Sequence, residues 1–288
     1  MTIVVSGATG HLGRLAVEHL LARGVAASDI VAAGRTPEKL AALAEATGVR
    51  TAVIDFTDPA TLDAALAGAE KFVLVSGSEV GQRAAQHQNA IDAAARAGVT
   101  QLVYTSAPKA SDSALILAPE HKATEEAIVA SGVPATVLRN GWYHENYDGS
   151  YAQAVQSGVY LASTGEGRVA SAPRTDYAEA IAAVLTSDGH VGAVYELAGD
   201  TAWSGDDFAA AASAASGREV VYRSVSPEEH LEVLKGAGLD EGTAGFVVAL
   251  DGNIRDGLLG ETSGDLARLI GHPTQPLGSY LTALAATN

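Results

Sequence analysis

At 288 residues, with 47% apolar residues and a net charge of −16, the chain is long enough to bury a substantial core as one large α/β unit or two lobes. Its 18 Lys and Arg are scattered without a block, which argues against nucleic-acid binding, and the absence of cysteine excludes disulfides, thiol nucleophiles and cysteine-bound metals. No apolar run approaches the roughly 18 residues of a membrane span and no secretory leader precedes the first predicted strand, so a cytoplasmic protein without a membrane partner is expected.

Short apolar runs then alternate with alanine-rich helical segments, the pattern of βαβ units and a parallel sheet. A first strand over 2–6 runs into Gly7-Ala8-Thr9-Gly10-His11-Leu12-Gly13. Glycines three apart suit a tight turn, close backbone approach to a pyrophosphate, and close packing of helix on strand. The helix predicted over 12–22 directs its free N–H groups and positive dipole end at the phosphates. Gly7, Thr9, Gly10, His11, Leu12 and Gly13 are therefore candidate cofactor-binding residues. A second strand over 30–34 ends at Arg35. At that place an acidic side chain grips the ribose hydroxyls of NAD, whereas an arginine accommodates the extra phosphate of NADP, so the expected cofactor is NADPH. Thr36 is the expected N-cap of the next helix, with Pro37 opening it and Gly48 at its exit.

The third strand, over 51–55, ends at Asp55 and Phe56, where an adenine ring would lie. The fourth, over 71–76, ends in Ser76-Gly77-Ser78, small residues that permit close approach of the cofactor backbone. Thr105, near the end of a fifth strand over 101–106, completes the expected cofactor contacts. His121 stands beside Glu120 at the start of a helix and reads more simply as a solvated first-turn residue. A sixth strand over 135–140 leads into Arg139-Asn140-Gly141-Trp142-Tyr143-His144-Glu145-Asn146-Tyr147, a concentration of aromatics and amides in a chain with only 5% aromatics. Such a wall suits a flat, carbonyl-bearing ligand. Asn140, Trp142, Tyr143 and Asn146 are the candidate substrate contacts, and Asn140 and Tyr143 the candidate catalytic residues. Docking between lobes is the competing explanation for these aromatics.

Beyond residue 143 the alternation breaks. A short strand over 159–162, a capping box from Asp176 to Glu179 opening a helix to Leu185, a core strand over 194–198 and a strand over 219–224 are expected. The fold expected is α/β: a doubly wound parallel sheet of Rossmann type with a smaller interleaved C-terminal α/β lobe. Residues 1–142 and 172–202 are assigned to the NADP-binding domain, and 143–171 with 203–288 to a substrate-covering lobe. The histidines lack metal-ligand spacing, so no metal is expected, and no Gly-x-Ser-x-Gly elbow supports a hydrolase.

Gly7-x-x-Gly10-x-x-Gly13, Ser78-Glu79-Val80-Gly81-Gln82-Arg83, Arg139-Asn140-Gly141-Trp142-Tyr143-x-Glu145-Asn146 and Tyr195-Glu196-Leu197-Ala198-Gly199-Asp200 together resemble the NmrA-like atypical short-chain dehydrogenase/reductase family. Within it the chain is most similar to the bacterial type 2 NAD(P)H:quinone oxidoreductases, from residue 1 to the 269–273 stretch. The resemblance implies a Rossmann domain, NADPH in a cleft, and hydride transfer to a quinone. No tyrosine has a lysine four residues on; Tyr104 is followed by Lys109, one place too far. Many members of the family carry a lysine where this chain has Glu125. The quinone reductases share that departure, and it fits their chemistry, because a quinone gains aromaticity on reduction and needs positioning more than a strong acid. The sequence leaves open a tailoring enzyme for an aromatic polyketide quinone or hydroquinone, and a non-catalytic NADP(H)-binding redox sensor of the NmrA type. A homodimer is compatible with the sequence and not read from it.

Overall fold

The apolar triplet Ile3-Val4-Val5 is wholly buried and forms β1 (Ile3–Val5), the strand about which the first half of the chain is wound. In the computed structural model, which describes residues 1–77, 79 and 81–287, β1 is followed by α1 (His11–Ala22), β2 (Ile30–Gly34), α2 (Pro37–Thr47), β3 (Arg50–Val53) and α3 (Pro59–Leu66). Next come β4 (Lys71–Leu74), α4 (Arg83–Ala97), β5 (Gln101–Ser106), α5 (Ala118–Ser131) and β6 (Ala135–Asn140). The remaining elements are β7 (Trp142–Tyr143), α6 (Asp148–Ser157), β8 (Val159–Ala162), β9 (Ser171–Ala172), α7 (Arg174–Thr186) and β10 (Val194–Leu197). They end with α8 (Gly205–Ser216), β11 (Val221–Ser224), α9 (Pro227–Gly236), α10 (Glu241–Arg255), α11 (Asp265–Ile270) and α12 (Leu277–Ala286).

The chain divides into two compact units. The first comprises Met1–Ser111, Leu117–Asn140 and Arg174–Leu197; the second comprises Asp112–Ile116, Gly141–Pro173 and Ala198–Asn288. Among the described residues, the first unit holds a seven-stranded sheet in the order β3-β2-β1-β4-β5-β6-β10, with every pairing parallel. This is the doubly wound Rossmann-like sheet expected from the alternation. Crossover helices cover a parallel sheet on both faces, which is why Val4, Phe72, Leu74 and Tyr104 sit in the core with essentially no exposure. The strand order reverses between β1 and β4, so a crevice opens at their carboxyl ends.

Three local expectations are corrected. β3 stops at Val53 and β4 at Leu74, short of the expected 55 and 76. Side chains take over the backbone donors there: Asp55 N–H bonds the Thr61 hydroxyl at 2.9 Å, Val75 N–H the Ser6 hydroxyl at 2.9 Å, and Ser76 N–H the Thr105 hydroxyl at 2.9 Å. Helix α7 starts at Arg174, so Asp176 is a buried first-turn residue and not the cap of a box with Glu179. Thr36 does precede α2, with Pro37 at its start and Gly48 at φ +74° at its exit, but the Thr36 side chain makes no capping bond.

In the second unit β8 pairs with β11 and β7 with β9, both in parallel. Its centre is aromatic. Tyr147 meets Trp203 edge-on at 4.7 Å between ring centroids, and Tyr160 lies 4.4 Å from Phe208. Among the described residues no helix is long and apolar enough to cross a membrane, and no group of three or more His, Asp or Glu could hold a metal ion.

Candidate functional site

The glycine turn is built by the space its residues leave. Gly7 adopts φ +63°, a region L side chains avoid, and turns the chain out of β1. Gly10 returns its N–H to the Gly7 carbonyl at 2.9 Å and opens α1 without a capping side chain. A Cβ on Gly13 would lie 2.4 Å from that same carbonyl oxygen, so only glycine lets helix and turn close together. The turn is pinned to its neighbours by Ala8 N–H to the Ala33 carbonyl and Ser6 N–H to the Val73 carbonyl, both at 3.0 Å. Thr9 leans on Gly34, where a Cβ would meet its hydroxyl at 3.0 Å. The first turn of α1 carries no acidic side chain, and His11 is exposed while Leu12 and Gly13 are buried. This is a cradle of N–H groups, open to backbone approach and free of local negative charge. It fits a dinucleotide pyrophosphate.

The ends of β4 and β5 are tied to each other. Thr105 accepts from Ser76 N–H, and the next amide, Gly77 N–H, donates to His87 Nε2 at 3.0 Å. The Thr124 hydroxyl donates to the Glu120 carbonyl at 2.9 Å and therefore accepts from His87 Nδ1, 3.0 Å away. His87 is thus the neutral tautomer protonated at Nδ1. Burial, assisted by the Arg83 charge, pushes its pKa down to about 3. Arg83 itself bonds the Gly77 carbonyl at 2.8 Å and Glu120 at 3.0 Å. Ser78 lies outside the described residues.

Arg35 stands exposed just past β2 and its Nη1 donates to Glu79 Oε1 at 2.6 Å. The second Glu79 oxygen accepts from Gln86 at 2.9 Å, and these two bonds hold its carboxyl below the usual range. Asp55 accepts from the Thr57 N–H at 2.8 Å and hydroxyl at 2.7 Å, which lower its pKa likewise. Half-buried Phe56 lies edge-on to His87, and its carbonyl accepts from Asn89 at 2.8 Å.

Farther along the strand ends, Tyr104 is buried with its hydroxyl 2.7 Å from His121 Nδ1. Burial raises the tyrosine pKa and lowers that of His121 to about 3. His121 is therefore a buried partner of Tyr104, not the solvated first-turn histidine expected. Glu125 bonds Ser106 at 2.5 Å and Arg139 at 2.6 Å, and Arg139 continues to Glu196 at 2.8 Å. Glu196 also receives the N–H of Lys109, which adopts φ +46°.

The aromatic-amide segment divides. Asn140 is the buried last residue of β6 in the first unit. Trp142 and Tyr143 are half-buried in β7 and Asn146 is exposed, all in the second unit. His144 and Tyr147 turn inward: His144 Nδ1 lies 2.8 Å from the Ser171 hydroxyl and Nε2 lies 2.9 Å from the Gln275 carbonyl. A carbonyl only accepts, so His144 donates from Nε2 and accepts from Ser171, which in turn accepts from Trp203 Nε1 at 2.8 Å. Burial holds this ring neutral, with a pKa of about 4.

The sequence reading passed over His87, Asn89, Gln86 and Gly34. Gly34 carries a signal in hindsight, as a glycine ending a strand opposite a glycine turn; the others, all on α4, reach Phe56, Glu79, Gly77 and Thr124 through contacts that spacing does not encode.

Residues 7–188 match the family model described as NAD(P)H-binding. The chain is 45% identical to quinone oxidoreductase 2 of Escherichia coli, over 99% of both chains. A crystal structure of the NADPH-dependent quinone oxidoreductase of that organism complexed with NADPH superposes with a TM-score of 0.94, at 45% identity over 98% of this chain and 99% of that one. The triphenylmethane reductase of Citrobacter, complexed with NADP(H), matches at 37% identity with a TM-score of 0.93, over 99% and 100%. A glycine turn, an arginine past the second strand and these whole-length likenesses agree: the chain belongs to the NAD(P)H-binding, NmrA-like family of oxidoreductases.

Proposed function

We propose that this chain is an NADPH-dependent oxidoreductase that transfers hydride to a quinone. The observation that carries the reading is the 45% identity with a quinone oxidoreductase along 99% of both chains, reinforced by a glycine cradle that fits a dinucleotide. When bound, NADPH supplies the hydride. The protein holds it. Gly7, Thr9, Gly10 and the amides of His11, Leu12 and Gly13 take the pyrophosphate, and Arg35 takes the 2′-phosphate. Asp55 and Phe56 flank the adenosine, while Ser76, Gly77, Ser78 and Thr105 let the dinucleotide backbone pass closely.

Asn140, through its amide, is the proposed quinone contact of the first unit; Tyr143, through its hydroxyl, Trp142 and Asn146 are the proposed contacts of the second. Reduction to the hydroquinone needs one proton besides the hydride, and solvent delivers it to the second oxygen. Tyr104 does not serve as the acid. Its hydroxyl is engaged with His121, and burial raises its pKa above the ordinary tyrosine value. Fixed geometry, with aromatisation as the driving force, replaces a tyrosine–lysine acid.

The test is oxidation of NADPH and NADH by purified protein with benzoquinones, naphthoquinones and polycyclic quinones. Turnover of simple quinones with NADPH preferred supports the proposal. Activity confined to polycyclic members moves the substrate to an aromatic natural product, and tight NADPH binding without any turnover makes the protein a sensor.

A further inference from the structure

Arg35 is the cation that the tip of β2 offers to a phosphate, yet two carboxylates already face it. They differ in partners. Asp55 is tied to its own turn: Thr57 fills one of its oxygens with two hydrogen bonds, and the Asp55 backbone N–H is held by Thr61. Glu79 lies on the segment between β4 and α4, with Arg35 on one oxygen at 2.6 Å and Gln86 on the other at 2.9 Å. Both members of the ion pair reach solvent, with side-chain exposures of 66% for Arg35 and 36% for Glu79. Pairs of this kind are weak enough to exchange. One guanidinium against two carboxylates leaves the corner net negative, so an arriving phosphate is opposed unless the carboxylate bonded to the guanidinium gives way. A phosphate monoester is equipped to displace it, with up to two charges and three acceptor oxygens that suit a guanidinium fork.

We infer that Glu79 is a specificity-determining residue, a removable counter-anion that occupies Arg35 until a ribose 2′-phosphate displaces it. The inference rests on Arg35 being the phosphate-binding cation of the proposed function. A dinucleotide lacking that phosphate leaves the pair closed and gains nothing from Arg35. The phosphorylated one exchanges a weaker anion for a stronger and releases Glu79 to solvent. Competition has a sign opposite to support. Neutralising a competitor tightens phosphate binding, whereas neutralising a residue that merely positions Arg35 loosens it.

Calorimetric titration of the full chain with 2′,5′-ADP and with ADP, for the wild type, Glu79→Gln and Arg35→Gln, decides between them without any turnover. Both side chains are exposed, and unchanged thermal midpoints verify that the variants fold. The expected result is 2′,5′-ADP binding about two- to fivefold tighter in Glu79→Gln, on the scale of one exposed ion pair. ADP affinity should stay unchanged, and 2′,5′-ADP should weaken in Arg35→Gln. Unchanged or weaker 2′,5′-ADP binding in Glu79→Gln, with Arg35→Gln still weakened, overturns the counter-anion and leaves the Arg35 assignment standing. Unchanged 2′,5′-ADP binding in Arg35→Gln overturns that assignment, and the counter-anion with it.

Discussion

The glycine turn of the first unit and the Ser171 cluster of the second reach rigidity by opposite routes. Around Gly7, Gly10 and Gly13 nearly everything is backbone: the turn stands because side chains are missing, with the Ala8 and Gly10 N–H groups tying it down and the first-turn amides of α1 left to face a ligand. Around Ser171 side chains do the linking, down to one backbone carbonyl. A hydroxyl takes the Trp203 indole N–H and gives its proton to His144, which passes the chain of bonds to Gln275, and all these groups are spent on one another. A binding surface keeps its donors unspent, whereas a core saturates them.

Acid should separate the two regions most. His87 and His121 in the first unit and His144 in the second are held neutral by burial, at about 3, 3 and 4, against 6.5 unfolded. The unfolded chain therefore takes up protons first as pH falls. Stability from this source is complete above pH 6.5 and is lost as pH drops toward 3 for His87 and His121 and toward 4 for His144, at about 2 kcal/mol per histidine between pH 7 and pH 5. Hydrogen exchange should show protection falling further in the first unit, with two such rings, than in the second, with one. Equal losses would break the contrast.

Gly13→Ala should come next. Its Cβ would be driven against the Gly7 carbonyl at 2.4 Å, with backbone on both sides, and we expect a loss of about 3 kcal/mol in urea unfolding together with weakened NADPH fluorescence titration. Ser171→Ala leaves the indole donor and the imidazole acceptor unmatched, for about 2 kcal/mol. Its effect on NADPH affinity should be small, since the cradle lies in the other unit. A large one would show that the two regions are not separable. Lys109→Gly removes the strain of φ +46° and should raise stability by about 0.5–1 kcal/mol, the smallest of these effects.

Which of these features could be read from the residues follows from their range. The glycine turn is a local device, seven residues whose spacing states the geometry, and the alternation of strands and helices up to residue 140 is equally local. The strand near 194 announces itself by apolar content, and it does return to the main sheet beside β6. Asp55 and Ser76 lie past their strands, because the Thr61 hydroxyl, six residues on, captures the Asp55 amide and the Thr105 hydroxyl, 29 residues on, captures that of Ser76. Spacing supports a box from Asp176 to Glu179, yet the helix begins two residues before Asp176. His87 sits in an alanine-rich helix with nothing to distinguish it. Its role depends on Thr124, 37 residues away, a relation that periodicity cannot express. The aromatics after Asn140 stood out only by composition, and the structure turns Tyr147 into the core of the second unit while Trp142 and Tyr143 stay half-buried.

The helix α7 packs against α1, joined by His19 to Thr175 at 2.9 Å and by Arg23 to Glu179 at 3.4 Å. During synthesis, the N-terminal helix must therefore wait for a partner encoded about 150 residues later, a delay on the order of ten seconds at common translation speeds. Until then only β1 and β2 are there for α1 to pack on, and the face that meets α7 stays uncovered. A nascent chain arrested after β6 would have six strands and an α1 covered on the sheet side alone.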